Sequence, residues 1–184
     1  MLTHVLLDLD ETLISATHSD IFDTYIYKLI KHLPHHTNDP FVIFERPFLQ
    51  DFLDYVFTNY KVSVFTASSK DYCLFIIDKF LLTKPDRNIE FVFFSYHCEI
   101  SEKRYAGNNK RIKLLTLDFD LEDVFDISST VLIDDREHWA RDQQDLVINV
   151  KPFNVEELNS ENDTELITVM AQLDEKRNEK LKTK

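Results

Sequence analysis

HVLLDLDETLIS, residues His4 to Ser15, is the stretch on which the reading of this chain turns. Its aliphatic opening, Val5 to Leu7, is that of a buried strand, yet the run closes on Asp8, Asp10 and Glu11 with Thr12 beside them. Carboxylates packed this closely repel one another, and a buried strand end adds a desolvation cost for each charge. A positive charge must be supplied there. The same stretch also has a simpler use, because Asp, Glu and Thr are good capping residues after a strand.

A chain of 184 residues with 43% hydrophobic and 29% charged content is enough for one domain with a proper core. The single glycine, Gly107, rules out both the P-loop and the dinucleotide-binding fingerprint, which need several. A formal charge of −12 argues against nucleic-acid binding and against docking on anionic membranes. A basic protein segment is the more natural electrostatic partner. Cys73 and Cys98 lie in apolar surroundings and read as reduced, buried thiols. Without a signal peptide or an apolar run of membrane-spanning length, an intracellular protein, cytoplasmic or nuclear, is expected.

Four runs read as strands covered on both faces: residues 4–10, 61–67, 130–135 and 145–150. Helical spacing occurs over 48–57, where Leu49, Phe52, Leu53 and Val56 recur after Pro47, and over the apolar stretch 70–82. Leu166, Met170 and Leu173 mark a last helix, with the charged residues from Asp174 onward fraying into solvent. The alternation predicts an α/β, Rossmann-like three-layer domain with a mostly parallel sheet over residues 1–175, followed by a charged tail at 176–184. Two inserts interrupt it: residues 15–45, and residues 88–112, where one or two extra strands are expected around a turn at Gly107.

Three of the strands end in polar groups: Asp8, Asp10 and Thr12; Thr66, Ser68 and Ser69; Asp134 and Asp135. If parallel and adjacent, their tips converge on one site, as ligand sites do in open parallel sheets. Four carboxylates there imply a cation, and all-oxygen ligation suits Mg²⁺ better than zinc. One carboxylate of the Asp8/Asp10 pair can act as nucleophile and the other as general acid and base. Thr66 can donate to a transferred phosphoryl group, and Lys110 or Lys113 can complete the charge balance. Each has a bland alternative: a strand-end threonine, a helix cap at Asp134–Asp135, a solvated lysine, and for His32, His35 and His36 a polar loop.

The stretch DLDET resembles the first signature of the haloacid dehalogenase (HAD) superfamily, in the form used by its FCP/SCP branch of Mg²⁺-dependent protein phosphatases. ERPFLQDFL (45–53), VSVFTASSKDY (62–72), VLIDDREHW (131–139) and NVKPF (149–153) follow in that branch's order. The resemblance covers roughly residues 4–155. It implies a HAD-like fold with small inserts and no large cap. Asp8 would form an aspartyl phosphate, and Asp10 would protonate the leaving oxygen and then activate water. Mg²⁺ would be held by Asp8, the Asp10 backbone carbonyl, Asp134 and Asp135. Thr12, Thr66, Ala67 and a lysine, with Lys113 favoured over Lys110, would grip the phosphate. The implied substrate is a phosphoprotein, with phosphoserine or phosphothreonine in a flexible segment like the tail of RNA polymerase II. The first insert departs from the branch, so substrate-reading residues are not assigned.

Three rivals remain in view. A receiver domain uses similar groups but places its acidic pair before its acceptor Asp, the reverse of the order here. An inactive, scaffold-type relative would usually lack one catalytic Asp, and this chain keeps both. A superfamily phosphatase for nucleic-acid ends or small esters fits the acidic charge and the lack of a large cap less well.

Overall fold

Val5 and Leu7 face one side of a central sheet and Leu6 the other, all fully buried. This two-residue alternation recurs in the neighbouring strands and builds the layers. The computed structural model describes residues 2–104, 110–112, 121, 126–137 and 143–182. Five strands form the sheet: β1 (His4–Leu7), β5 (Lys61–Phe65), β6 (Ile89–Phe93), β7 (Thr130–Asp134) and β8 (Val147–Asn149), all parallel in the order β6-β5-β1-β7-β8.

On one face Val5, Leu7, Val62, Val64, Val131 and Ile133 pack against α2 (Leu49–Asn59), α3 (Lys70–Ile76) and α5 (Glu165–Lys182) through Phe52, Val56, Ile76, Leu166, Val169 and Leu173. On the other face Leu6, Phe65 and Leu132 meet Cys98 of α4 (Ser95–Arg104) and Ile112. Each such side chain contributes about 1.5–3 kcal/mol when fully buried. The expected three-layer α/β architecture is therefore present.

The first insert folds as a second sheet. Strands β2 (Ile14–His18), β3 (His35–Asn38) and β4 (Phe41–Glu45) pair antiparallel in the order β2-β4-β3, with the short helix α1 (Tyr25–Ile30) between β2 and β3. It has its own small core of Ile21, Ile30, Leu33, Val42 and Phe44, closed by Phe153 and Val155 from the segment after β8. A hairpin-like sheet buried on one face needs such a partner.

The second insert differs from expectation. Its first part is β6, an edge strand of the main sheet, but Ser95–Arg104 is helical, in place of a further strand. Buried Cys98 and Ser101 stand at i, i+3, a helical spacing. The turn into α4 closes where Phe94 N–H donates to His97 Nδ1 at 3.0 Å and Ser95 N–H donates to Ser68 O at 2.9 Å. Gly107 lies outside the described residues.

The C-terminal charged stretch also continues as helix to Lys182 instead of fraying at Asp174. Tyr55 donates to Asp174 Oδ1 at 2.6 Å and Arg177 to Asn59 Oδ1 at 3.2 Å, which ties its outer face to α2. Among the described residues no helix is long and apolar enough to cross a membrane.

Candidate active site

The chain leaves β1 for β5 and β6 on one side, then returns to place β7 and β8 on the other. The reversal falls between β1 and β7, and the crevice outside the carboxyl ends of such a pair is where open α/β sheets bind ligands. Leu7 pairs with Ile133 in register, so Asp8 and Asp134 come next on adjacent strands, and Asp8 N–H donates to Ile133 O at 3.0 Å. Register alone brings these two carboxylates together.

Beyond Asp8 the chain turns sharply. Leu9 O accepts from Leu13 N at 2.8 Å, and Glu11 takes a left-handed conformation at φ 60° with its N–H donating to Ile14 O. That conformation costs a non-glycine residue about 1–2 kcal/mol, and strained positions of this kind gather at functional sites. The turn points Thr12, fully buried, back at the acids. Its hydroxyl lies 3.1 Å from Asp8 Oδ2 and 3.4 Å from Asp135 Oδ1, and accepts from Asp135 N–H at 3.1 Å.

Asp8, Asp134 and Asp135 are buried, and each brings a carboxylate oxygen within 4.8 Å of the others. Lys110, 2% exposed, places its ammonium 2.5 Å from Asp8 Oδ1 and 2.7 Å from Asp134 Oδ2. Gln143 fixes the lysine's backbone, donating to Lys110 O at 2.8 Å and accepting from Ile112 N at 3.1 Å. Burial opposes charge on Lys110, but Asp8 and Asp134 outweigh it and raise its pKa.

Among the described residues, three carboxylates against one ammonium leave excess negative charge in a buried site. Burial first, and then Asp8, raises the carboxyl pKa values of Asp134 and Asp135. Such a set, all oxygen and over-charged, suits a hard divalent cation such as Mg²⁺. Asp134 is further fixed by Arg136 N–H at 2.9 Å.

Asp10 is partly exposed. Its carboxyl pKa is raised by burial, against the opposing hydrogen bond from Tyr72, whose hydroxyl donates to Asp10 Oδ1 at 2.7 Å. Thr66, buried at the end of β5, accepts from Ser68 N–H at 3.1 Å and donates to Ser68 Oγ at 3.0 Å, while Ala67 is exposed beside it. Neither cysteine competes as nucleophile. Burial, then Asp10 and Asp8, pushes the Cys73 thiol up to about 12, and burial likewise pushes Cys98 up to about 12.

Residues 3–182 match the family of NLI interacting factor-like phosphatases. The chain belongs to that family. It is 44% identical over 180 residues to CTD phosphatase-like protein 355R of Invertebrate iridescent virus 3, covering 92% of this chain and 94% of the relative. It is 28% identical over 181 residues to CTD nuclear envelope phosphatase 1B of Danio rerio, covering 92% of this chain and 65% of that protein. In fold it resembles the fission yeast RNA polymerase II CTD phosphatase Fcp1 bound to beryllium fluoride, with TM-score 0.58 and 20% identity over 92% of this chain. It spans about half of that structure, 51%. A HAD-family enzyme of Bacteroides thetaiotaomicron, solved with magnesium and inorganic phosphate, matches with TM-score 0.51 and 14% identity over 83% of this chain and 95% of its own. The HAD-like fold and the membership of a phosphatase family are thus established.

Of the residues singled out from sequence, Asp8, Thr12, Asp134 and Asp135 meet at one point, with Asp10 one turn away. Lys113, the lysine favoured from its context, lies outside the described residues, whereas Lys110 is the lysine between the carboxylates. Chain distance to the next motif does not choose between two lysines three residues apart. Tyr72 closes the motif at 62–72, yet nothing in the sequence assigns it a role. Its bond to Asp10 spans 62 positions and has no periodic signature.

Proposed function

We propose that this NLI interacting factor-like protein is a Mg²⁺-dependent phosphatase that works through an aspartyl phosphate on Asp8, with phosphoserine or phosphothreonine in a flexible protein segment as substrate. The observation carrying this reading is the buried Asp8 carboxylate, held by Lys110 and Thr12 at the sheet's switch point beside Asp134 and Asp135. The first two partners bond opposite oxygens of the carboxylate and aim it.

In the first step an Asp8 oxygen bonds to phosphorus while the bond from phosphorus to the leaving oxygen breaks, and Asp10 gives that oxygen a proton. In the second, Asp10 takes a proton from water as the water oxygen bonds to phosphorus, and the bond to Asp8 breaks. Burial keeps the Asp10 carboxyl pKa above its ordinary range, which favours a carboxyl that must start protonated. Asp8, Asp134, Asp135 and the Asp10 backbone carbonyl would hold Mg²⁺. When bound there it would supply positive charge that lets an anionic nucleophile meet an anionic phosphate. Lys110 would share that charge, and Thr66 with Ala67 would line the phosphate position. The phosphoprotein substrate is supported by the names of the relatives.

The test is hydrolysis of an aryl phosphate and of phosphoserine and phosphothreonine peptides, with Mg²⁺ and with a chelator, beside Asp8→Asn. Activity that needs Mg²⁺ and vanishes in the variant is expected. A folded wild type inert on every substrate would point to a binding scaffold instead.

A further inference from the structure

Tyr72 sits in the first turn of α3, three residues past Ser69, whose hydroxyl caps that helix by accepting from Tyr72 N–H at 3.5 Å. Its own hydroxyl donates to Asp10 Oδ1 at 2.7 Å. Asp10 Oδ2 accepts no hydrogen bond among the described residues. We propose that Tyr72 is the positioning residue of the acid–base carboxyl: by occupying Oδ1 it makes Oδ2 the one oxygen that gives a proton to the leaving group and takes one back from water. The proposal rests on the aspartyl-phosphate reading above.

The two oxygens of a carboxyl group are equivalent until something distinguishes them. A carboxyl free to rotate about its Cβ–Cγ bond would present the acid proton in the wrong direction much of the time. A phenol donating to one oxygen removes that freedom, and the bond survives the whole cycle. When Asp10 is protonated on Oδ2, Oδ1 is a carbonyl oxygen and still accepts. When Asp10 is ionised, Oδ1 accepts more strongly. Tyr72 stays a donor throughout, because a phenol keeps its proton near neutral pH.

A purely structural role explains the bond less well. Helix α3 is already anchored by the Ser69 cap and by buried Cys73 and Ile76, so it does not need Asp10 to hold it in place.

The experiment compares wild type, Tyr72→Phe, Asp10→Asn and the double variant on aryl phosphates graded by leaving-group acidity and on a phosphoserine peptide, with thermal unfolding as the check on folding. General acid–base assistance is typically worth about 10²–10⁴-fold, so misaiming its carboxyl should cost about tenfold or more in kcat for the poor leaving group of phosphoserine. The loss should shrink to about twofold or less for the most acidic phenol, which leaves without a proton, and KM should hold. Placed on Asp10→Asn, Tyr72→Phe should cost nothing further, since it acts only through that carboxyl.

Equal losses across all leaving groups, a rise in KM with kcat held, or losses that multiply in the double variant would each overturn the positioning role while Asp10→Asn still showed its leaving-group dependence. If Asp10→Asn lacked that dependence, or the wild type were inert, the underlying acid–base reading would fail and the role of Tyr72 with it.

Discussion

Lys110 offsets two buried carboxylates from a position 24 residues before Asp134, and 102 after Asp8, in the chain. Removing one partner of a buried ionic cluster typically costs about 3–5 kcal/mol, because the remaining charge is left uncompensated. Lys110→Met should therefore lower the free energy of unfolding in urea by that order without Mg²⁺. Millimolar Mg²⁺ should restore part of the loss, since a cation can take over the balance. Unfolding curves with and without the metal would show it, and a variant as stable as wild type without Mg²⁺ would refute it. Thr12 is the neutral counterpart. Thr12→Val keeps its shape but strands the buried Asp135 N–H, so a loss of about 1–3 kcal/mol is expected, with Thr12→Ser recovering most of it. The strand end and its acids are legible in sequence at this scale. The choice of lysine is not, because contacts between residues so far apart in the chain leave no local pattern.

At the scale of elements, Arg46 ties three of them together. It sits just past β4 and is 1% exposed. Its guanidinium bonds both oxygens of Asp163 at 2.9 Å, Thr12 O at 2.9 Å and Lys151 O at 2.9 Å, and lies over Phe153. The arginine thus joins the inserted sheet, the acid-bearing turn and the segment leading to α5. Arg46→Lys should not rescue what Arg46→Ala loses, because an ammonium cannot reproduce the fork. Both should cost about 3–5 kcal/mol in denaturant unfolding and lower kcat through the displaced Thr12. The partner and the backbone acceptors of Arg46 come from distant segments, so the sequence does not show them.

His4 couples strands β1 and β5 through Ser63 Oγ at 2.8 Å. Burial, then the Lys61 charge, lowers its pKa from 6.5 to about 4. The folded chain therefore refuses a proton that the unfolded chain accepts. This contribution is complete above pH 6.5, falls as pH drops toward 4, and changes no further below it. At about 1.4 kcal/mol per unit the loss is of order 3 kcal/mol. The site carboxyls with raised pKa values slope the opposite way, so the difference between wild type and His4→Gln across that window isolates the histidine. A constant difference would refute the assignment.

Across the whole molecule, α5 closes the sheet face that α2 and α3 leave open, through Leu166, Val169 and Leu173. Leu173→Ala should cost about 2–5 kcal/mol, as buried truncations do. Truncation after Glu175 should cost under about 1 kcal/mol, since the hydrogen bonds it removes, from Arg177 to Asn59 and from Lys176 to Asp145 O, are exposed. Thermal unfolding of the two variants separates these outcomes. If truncation costs as much as Leu173→Ala, the distal turns of α5 do more than cover the surface.

The strands on both sides of the switch point, the helices of the main layer and the acids at the strand tips are legible in the sequence alone. Those signals are local: buried strands read as aliphatic runs, helices as a period of 3.6, and catalytic acids as charges where a core should be. It took the folded chain to show that residues 95–104 form a helix, that the first insert builds its own sheet, that Lys110 stands between Asp8 and Asp134, and that Tyr72 meets Asp10. These depend on register, on the packing of segments far apart in the chain, and on where burial leaves a charge or a hydroxyl with one available partner. A single sequence carries no periodic trace of such pairings.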